Sequence, residues 1–239
     1  MEITKANGNL PAAVAAATWG AVEAIDAGDV IVPKIYHMQA MSKLVADGAA
    51  KPGDFCDSLT GKVLATKDKP LEVIIFGMFK SMVISKHDPF SNKYKLDRVV
   101  TITPENALQF ASKPFLEETS EGQFKNNLQY NFYCLIPGNT DLPYVLSLGS
   151  TKTKSAKKIN TMLSKLSSAG KPGASIVFSL TSIPEKNDQG SWFGLQVDQG
   201  RNATSEEMQS AYNWYLKSKI QKFVAEDKDS DDDEDQPHL

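Results

Sequence analysis

An acid-free, lysine-rich stretch is the part of the sequence best suited to binding a polyanion. No aspartate or glutamate occurs between Asp141 and Glu185. The interval contains six lysines, namely Lys152, Lys154, Lys157, Lys158, Lys165 and Lys171. Four of them lie within KTKSAKK at the expected start of a helix, where unpaired backbone N–H groups add to the positive field. The pattern predicts that the first four lysines and Lys171 contact phosphate groups of a nucleic acid.

Aromatic residues on the neighbouring strands are candidates for stacking on bases, which is the second element of single-strand binding. These candidates are Tyr130, Phe132, Tyr133, Trp192 and Phe193, with Arg201 as a further cation. Strand alternation places Tyr130 and Phe132 on one face and Tyr133 on the other. One of the two faces is core, and the sequence leaves open which. Trp192 follows a turn directly and is the better exposed candidate of the last pair.

The elements that must position these residues are mostly strands. Alanine content favours a helix over 12–27, and apolar spacing favours another over 35–46. Strands are expected over 71–85, with a bend or bulge at Gly77, and over 96–103, 127–136, 142–148, 174–183 and 191–198. A helix with Ser155 as its N-cap is expected over 155–167. A last helix begins near 205, where Thr204 and Glu207 form a capping box.

This order predicts a mainly β or α+β fold. A helix before the final hairpin is typical of the OB-fold, a small antiparallel Greek-key barrel. We therefore expect an OB-like core over 71–200, a partly helical N-terminal extension over 1–70 and a C-terminal helix over 201–225. An α+β sandwich with a mostly antiparallel sheet is the alternative.

The charge of the chain is concentrated at its C-terminus. Residues 226–239 contain eight acidic residues and one lysine, a net charge of −7. The remaining 25 basic and 21 acidic residues give the body a charge of +4, although the whole chain has −3. Such a tail cannot bury a core, so we expect it to be disordered. A basic body with an acidic tail suggests a polyanion-binding domain that its own tail can regulate.

Nothing in the sequence supports an enzyme. Phosphate-binding, dinucleotide-binding, hydrolase and zinc-protease motifs are absent, and His37, His87 and His238 share no motif. Cys56 and Cys134 are expected to be reduced thiols, since neither belongs to a metal-type cluster. We expect no catalytic activity, cofactor or metal. The absence of a signal sequence or an apolar span in this sequence predicts a cytoplasmic protein without membrane contact, in the host cytoplasm if it is viral.

The tail and part of the body resemble the single-stranded DNA-binding proteins of phages and bacteria. The tail residues that resemble the family are Asp231, Asp232, Asp233, Glu234, Asp235, Pro237 and Leu239. In the body, the resemblance covers about residues 120–220 and rests on YNFYCLI, LSLGSTKTKSAKKINTML, WFGLQVDQGR and ATSEEMQSAYNWYLKS. It implies an OB-fold and a tail that competes with DNA and recruits replication and repair proteins. The chain ends in Pro-His-Leu where the bacterial family has Pro-Phe, which puts docking to a host partner in doubt.

The favoured hypothesis is sequence-independent binding of single-stranded DNA in phage replication or recombination. The alternatives are a viral structural or assembly protein, and an RNA-binding protein or transcription cofactor. A metal-dependent nuclease comes last. The oligomeric state is left open.

Overall fold

The fold is built mainly from antiparallel strands. A computed structural model describes residues 31–188 and 190–220, without the side chains of residues 219 and 220. The strands are β1 (Ile35–His37), β2 (Phe55–Asp57), β3 (Val63–Ala65), β4 (Leu71–Asp88), β5 (Lys93–Ile102), β6 (Leu116–Thr119), β7 (Gly122–Ile136), β8 (Asn139–Gly149), β9 (Ile176–Asn187) and β10 (Gly190–Asn202). The helices are α1 (Lys43–Ala46), α2 (Ala107–Ala111), α3 (Thr153–Ser168) and α4 (Ser205–Ile220), with 3₁₀ turns at Ser150–Lys152 and Gly173–Ser175. The expected mainly β class is confirmed.

A curled seven-stranded sheet forms the body, and β4 and β7 are its spine. The order is β10-β9-β4-β7, and β7 is flanked on its other side by β8 and β6. The first residues of β4 pair with β9, whereas its second half pairs with β5. The register of β4 against β7 shifts between Ile75 and Gly77. The bulge predicted at Gly77 is therefore confirmed, and it lies just before the part of β4 that pairs with β5.

The main core lies on the inner side of the curl. Tyr130, Phe132 and Cys134 face inward from β7 and are buried, as their alternation requires. Ala156 and Ile159 of α3 pack on the same core. Each fully buried side chain of the size of Phe132 or Ile159 contributes about 1.5–3 kcal/mol to stability. The sequence left open which face of β7 is core, and the structure shows that it is the face of Tyr130 and Phe132.

The outer side of the same sheet is covered only in part. Trp214 of α4 packs against the cluster that contains Leu135, and its indole N–H donates to the carbonyl of Thr140 at 3.0 Å. Ala211 of α4 is fully buried there. The remainder of the outer face of β7 and β8 lies beyond α4 and forms part of the site described below.

Residues 31–70 are integrated into the body and are not an appended extension. Strands β1, β2 and β3 form a small sheet beside β8, where Lys34 bridges to Val145. Ile35 and Phe55 belong to the main core. The helix predicted over 35–46 is wrong for its first half, because Ile35–His37 pairs with β2 and alternates toward the core. Tertiary pairing overrides local propensity here. The helix predicted over 12–27 lies outside the described residues.

A two-layered arm projects the sheet beyond the body. It consists of the second half of β4, β5, α2, β6 and the first half of β7. Its own small core contains Met82, Ile84, Phe110 and Phe124. Neither α2 nor β6 is predicted from the sequence, since each is five residues or shorter and carries little periodicity.

The two longer helices begin differently from each other. The capping box of α4 is confirmed: the Glu207 N–H donates to Thr204 Oγ1 at 3.2 Å, and the Thr204 N–H donates to the Glu207 carboxylate at 2.8 Å. The predicted N-cap of α3 is wrong, because the helix begins at Thr153, directly after a 3₁₀ turn. The Ser155 hydroxyl instead donates to the carbonyl of Leu195 and ties α3 to β10.

Candidate nucleic-acid interface

The start of α3 presents the predicted lysines without any acidic residue in its first turn. Lys154 and Lys157 are exposed and enter no ion pair among the described residues. Lys158 is exposed as well, but its ammonium lies 2.9 Å from Asp198. Such exposed pairs contribute little, about 0–1 kcal/mol, so Lys158 can exchange Asp198 for another anion at small cost. Lys152 is half-buried, beside β1.

The other two lysines of the stretch lie at the far end of α3. Lys165 is in its last turn, and Lys171 follows the helix, where Gly170 adopts a φ of +67°. Lys165 lies thirteen positions after Lys152, which corresponds to about 20 Å along a helix. The stretch that is continuous in sequence is therefore divided in space, and Lys171 is not part of the basic helix start.

A row of polar side chains lies on the outer side of β4, β7 and β8, with two members buried and three half-buried. We call Ser81, Asn127, Gln129, Asn131 and Ser147 the polar face. The Ser147 hydroxyl donates to Asn131 Oδ1 at 2.7 Å, and the Asn131 amide donates to Ser81 Oγ at 2.9 Å. Asn131 is thereby fixed between two strands. This face is not evident from the sequence, since amide and hydroxyl residues in a strand give no distinct signal.

The polar face runs directly into the basic helix start. The Ser150 backbone N–H donates to Asn127 Oδ1 at 3.2 Å, at the point where β8 turns into α3. Ser150 has a φ of 46°. A Cβ on Gly149 would lie 3.0 Å from Gln129 Cγ and 3.1 Å from the Leu128 carbonyl. The close approach of β8 to β7 therefore favours glycine at this corner, where the outer face of β7 meets the turn into α3.

An aromatic cluster continues the same sheet face on the arm. The Lys125 ammonium lies 5.9 Å from the centre of the Tyr94 ring and 5.4 Å from that of Phe115. The His87 ring is 5.2 Å from the Tyr94 ring. Phe115 is 45% exposed, and Tyr94 is half-buried. We call His87, Tyr94, Phe115 and Lys125 the arm cluster. It was missed because these residues meet only through strand pairing.

Two of the predicted stacking rings are core residues. Phe132 is fully buried and Tyr130 is 7% exposed, so neither ring offers a free face to a base. Both belong to the main core, so the prediction that they stack on bases is wrong. Tyr133, on the opposite face, is half-buried between Phe76 and Phe79, with ring centres 6.0 Å and 5.2 Å away. Burial raises the pKa of the Tyr133 hydroxyl.

The candidates on the last hairpin are already occupied by protein partners. The Trp192 indole N–H donates to the Glu185 carboxylate at 2.7 Å, and the ring is half-buried. Phe193 is half-buried, and its backbone N–H donates to Gln39 Oε1 at 2.9 Å. These two side chains lie on opposite faces of β10, as expected for neighbours in a strand.

Arg201 is committed to an ion pair. Its guanidinium makes a two-point contact with Glu207, at 2.7 Å and 2.8 Å, and lies 3.8 Å from Glu72. The hydrogen bonds that Arg201 donates to Glu207 raise the pKa of Arg201 and lower the pKa of Glu207 to about 2. Its charge is compensated, so Arg201 is a poor candidate for a phosphate contact.

His37 has a structural setting that the sequence did not indicate. Its ring stacks on Phe55 with centres 4.8 Å apart, and Nε2 lies 2.8 Å from Ser182 Oγ. Burial, with a smaller contribution from the charge of Lys152, lowers its pKa to about 3. His37 is therefore neutral at physiological pH and joins β1 to β9.

The predicted tail residues Asp231, Asp232, Asp233, Glu234, Asp235, Pro237 and Leu239 lie outside the described residues. Within residues 31–188 and 190–220, no three histidine, cysteine or acidic side chains are grouped as a metal would require. None of the helices in that part of the chain combines the length and the apolar character needed to cross a bilayer.

Comparison with known proteins identifies one family. No curated protein and no solved structure matches the chain. The family model described as Pam3 phage gp34-like protein matches residues 4–223, which include every residue that the structure describes. The chain is thus a phage protein and belongs to the Pam3 phage gp34-like family.

Proposed function

We propose that this phage protein binds single-stranded DNA without sequence preference and acts in DNA replication or recombination in the host cytoplasm. The observation behind this proposal is the junction at which the polar outer face of β7 meets the turn into α3. Fixed amide and hydroxyl groups on β7 and β8 adjoin a helix start with several lysines and no acidic residue in its first turn. A cationic groove beside groups that meet bases is the usual arrangement for single-strand binding.

The order of the strands supports an OB-fold reading of the body. The sequence β10-β9-β4-β7-β8, with α3 between β8 and β9, is the order of a five-stranded barrel whose helix follows its third strand. The arm is then an insertion between the first and second barrel strands. OB-folds bind oligonucleotides on the face of their second and third strands, which correspond here to β7 and β8. Four of the five residues of the polar face lie on those two strands, and Ser81 lies on β4.

The chemistry of the surface fits a ligand with a regular negative charge and variable bases. Lys154 and Lys157 are exposed and can each meet a phosphate, with Lys152 and Lys158 beside them. Amides such as Gln129 both donate and accept hydrogen bonds, so they can contact any base edge. Each phosphate contact adds about 0.7 to the dependence of log affinity on log salt concentration for single strands.

The acidic tail is assigned a regulatory role in this proposal. Residues 226–239 have a net charge of −7, opposite to that of the helix start. At low salt the tail would compete with DNA for the lysines, and it would recruit replication and repair proteins when DNA displaces it. Removing residues 226–239 should therefore tighten DNA binding, and high salt should weaken this effect.

The proposal is tested by titrating the full-length protein with a labelled oligo-dT. The oligonucleotide has about 20 nucleotides, which is longer than one OB-fold requires. Fluorescence anisotropy is measured over a range of salt concentrations for wild type and for Lys154→Glu/Lys157→Glu. The variant should bind more weakly and lower the salt slope by about 1.4. The matched control is Lys62→Glu/Lys69→Glu, which changes two exposed lysines around β3. No binding by the wild type, or equal loss in the control, would refute the proposal. Tighter binding of oligo-U would favour the RNA-binding alternative.

One observation favours a second candidate, a structural or assembly role in the virus particle. Two large apolar side chains of the arm face solvent, Phe90 at 99% and Leu108 at 87% exposure. Phe90 lies in the turn between β4 and β5, whereas Leu108 lies in α2 beyond the other end of β5, and each exposed apolar group is suited to contact with another subunit. Light scattering over a wide concentration range tests this candidate, which requires an assembly that Phe90→Ser/Leu108→Ser disrupts.

A further inference from the structure

The arm cluster has the composition of a base-stacking site. Its ammonium and two flanking rings come from three places in the chain: Tyr94 on β5, Lys125 on β7, and Phe115 directly before β6. Register places Lys125 opposite Ser85, and His87 opposite Tyr94, so these four residues share one face of the sheet. This is also the face on which Gln129 lies.

The rings of the cluster are not needed for the core of the arm. That core lies on the opposite face of β4 and β7, where Met82, Ile84 and Phe124 are buried. On the cluster's own face, Phe115 is 45% and its neighbour Leu116 59% exposed. Aromatic surface beside a cation on a solvent-facing sheet suits planar rings that carry phosphate, because the ring stacks and the ammonium meets the charge.

We infer that the arm cluster is a second contact site for the same strand of DNA, at which bases stack on Tyr94 and Phe115 while Lys125 meets a phosphate. The inference rests on the proposed function and extends it beyond the barrel. Along β7, Lys125 precedes Gln129 by four residues, which is about 13 Å. At the spacing of about 3.4 Å per nucleotide of a strand in B-form DNA, roughly four nucleotides bridge the cluster and the polar face, and a more extended single strand needs fewer. A ligand of about 12 nucleotides can therefore occupy both.

The test compares wild type with Tyr94→Leu/Phe115→Leu in the full chain, using a labelled oligo-dT of about 12 nucleotides. Leucine keeps the apolar bulk and removes the stacking face, and thermal unfolding checks that the arm remains folded. Loss of one base stack weakens binding by roughly 5- to 150-fold on alanine substitution, so the pair should weaken it at least about tenfold. The salt slope should stay unchanged, because no phosphate contact is removed. Lys125→Met, in contrast, should lower the slope by about 0.7.

The matched control is Phe90→Leu, which removes an aromatic ring of the same arm that is 99% exposed and lies outside the cluster. It should leave affinity unchanged. If wild type binds and the double variant binds equally well, the second site is wrong while the proposed function stands. The same conclusion follows if Phe90→Leu weakens binding as much as the double variant does. If wild type binds no DNA, both proposals fail.

Discussion

Acidification should destabilise this protein through one buried histidine. His37 is 9% exposed, and its pKa is lowered from 6.5 to about 3, chiefly by burial and secondarily by the charge of Lys152. The imidazole of His37 is therefore protonated below about pH 6.5 in the unfolded chain but only below about pH 3 in the folded chain. The folded state has its full stability with respect to His37 above the pKa of the unfolded chain, about 6.5. This contribution is lost as the pH falls through the interval between the two values.

The size of the effect follows from the proton linkage. The free energy of unfolding should fall by about 1.4 kcal/mol per pH unit once the pH is well below 6.5. Between about pH 7.5 and about pH 5, the contribution of His37 amounts to a loss of about 2 kcal/mol. Other titrating groups add their own losses, so the quantity to compare is the difference between wild type and a variant that lacks this imidazole.

The assay is urea unfolding of wild type and His37→Gln at both pH values. Glutamine keeps a polar group near Ser182 but cannot be protonated, so the variant should lose about 2 kcal/mol less than wild type on acidification. Its stability at neutral pH will be lower, and only the change with pH is compared. His87→Gln, on the arm surface, serves as the control and should retain the wild-type loss. Equal losses in wild type and His37→Gln would refute the assignment.

Three further substitutions test contacts that stabilise the fold or hold residues of the candidate site in place. Glu207→Gln should lower the free energy of unfolding by about 1–2 kcal/mol, because it weakens both the cap of α4 and the pair with Arg201; thermal unfolding measures it. Gly194→Ala should change the tryptophan emission spectrum, because the added Cβ would lie 2.2 Å from Glu185 Oε1 and displace the carboxylate that accepts the indole N–H. Asn131→Ala should cost about 1–3 kcal/mol, since it leaves two buried or half-buried hydroxyls without their partner, and it should weaken oligo-dT binding in anisotropy titrations. An unchanged melting temperature, an unchanged emission spectrum and an unchanged affinity, respectively, would contradict these expectations.

The sequence predicted best those elements whose signal lies entirely within one short segment of the chain. The alternation along 127–136 identified the strand, and Thr204 with Glu207 located the start of α4, because both signals depend on neighbours in the chain. Alternation could not decide which face of β7 is core, since Tyr130 and Tyr133 are equally able to fill a core. That decision depends on α3 and α4, which pack on opposite sides of the sheet.

The candidate site was the least predictable part, because its residues come together only when distant strands pair. Lys125 and Tyr94 belong to different strands and never pair directly with each other, since β4 lies between β5 and β7. Likewise, the lysines of KTKSAKK were visible in the sequence, but the amides beside them were not. The three-residue strands β1–β3 were also missed, because a segment of that length shows no period.

The length of β4 and β7 gives the curled sheet one long continuous face. An ordinary strand of five or six residues spans about 17–20 Å, whereas β4, with 18 residues, spans about 59 Å. The two strands remain paired from Ile74 to Lys86, so the polar face and the arm cluster belong to one hydrogen-bonded sheet. Their separation is then set by the register of the strands, with no loop between them to absorb changes. A strand of DNA bound at both places would meet a surface already arranged for it, which lowers the entropy lost on binding and favours ligands long enough to reach the arm.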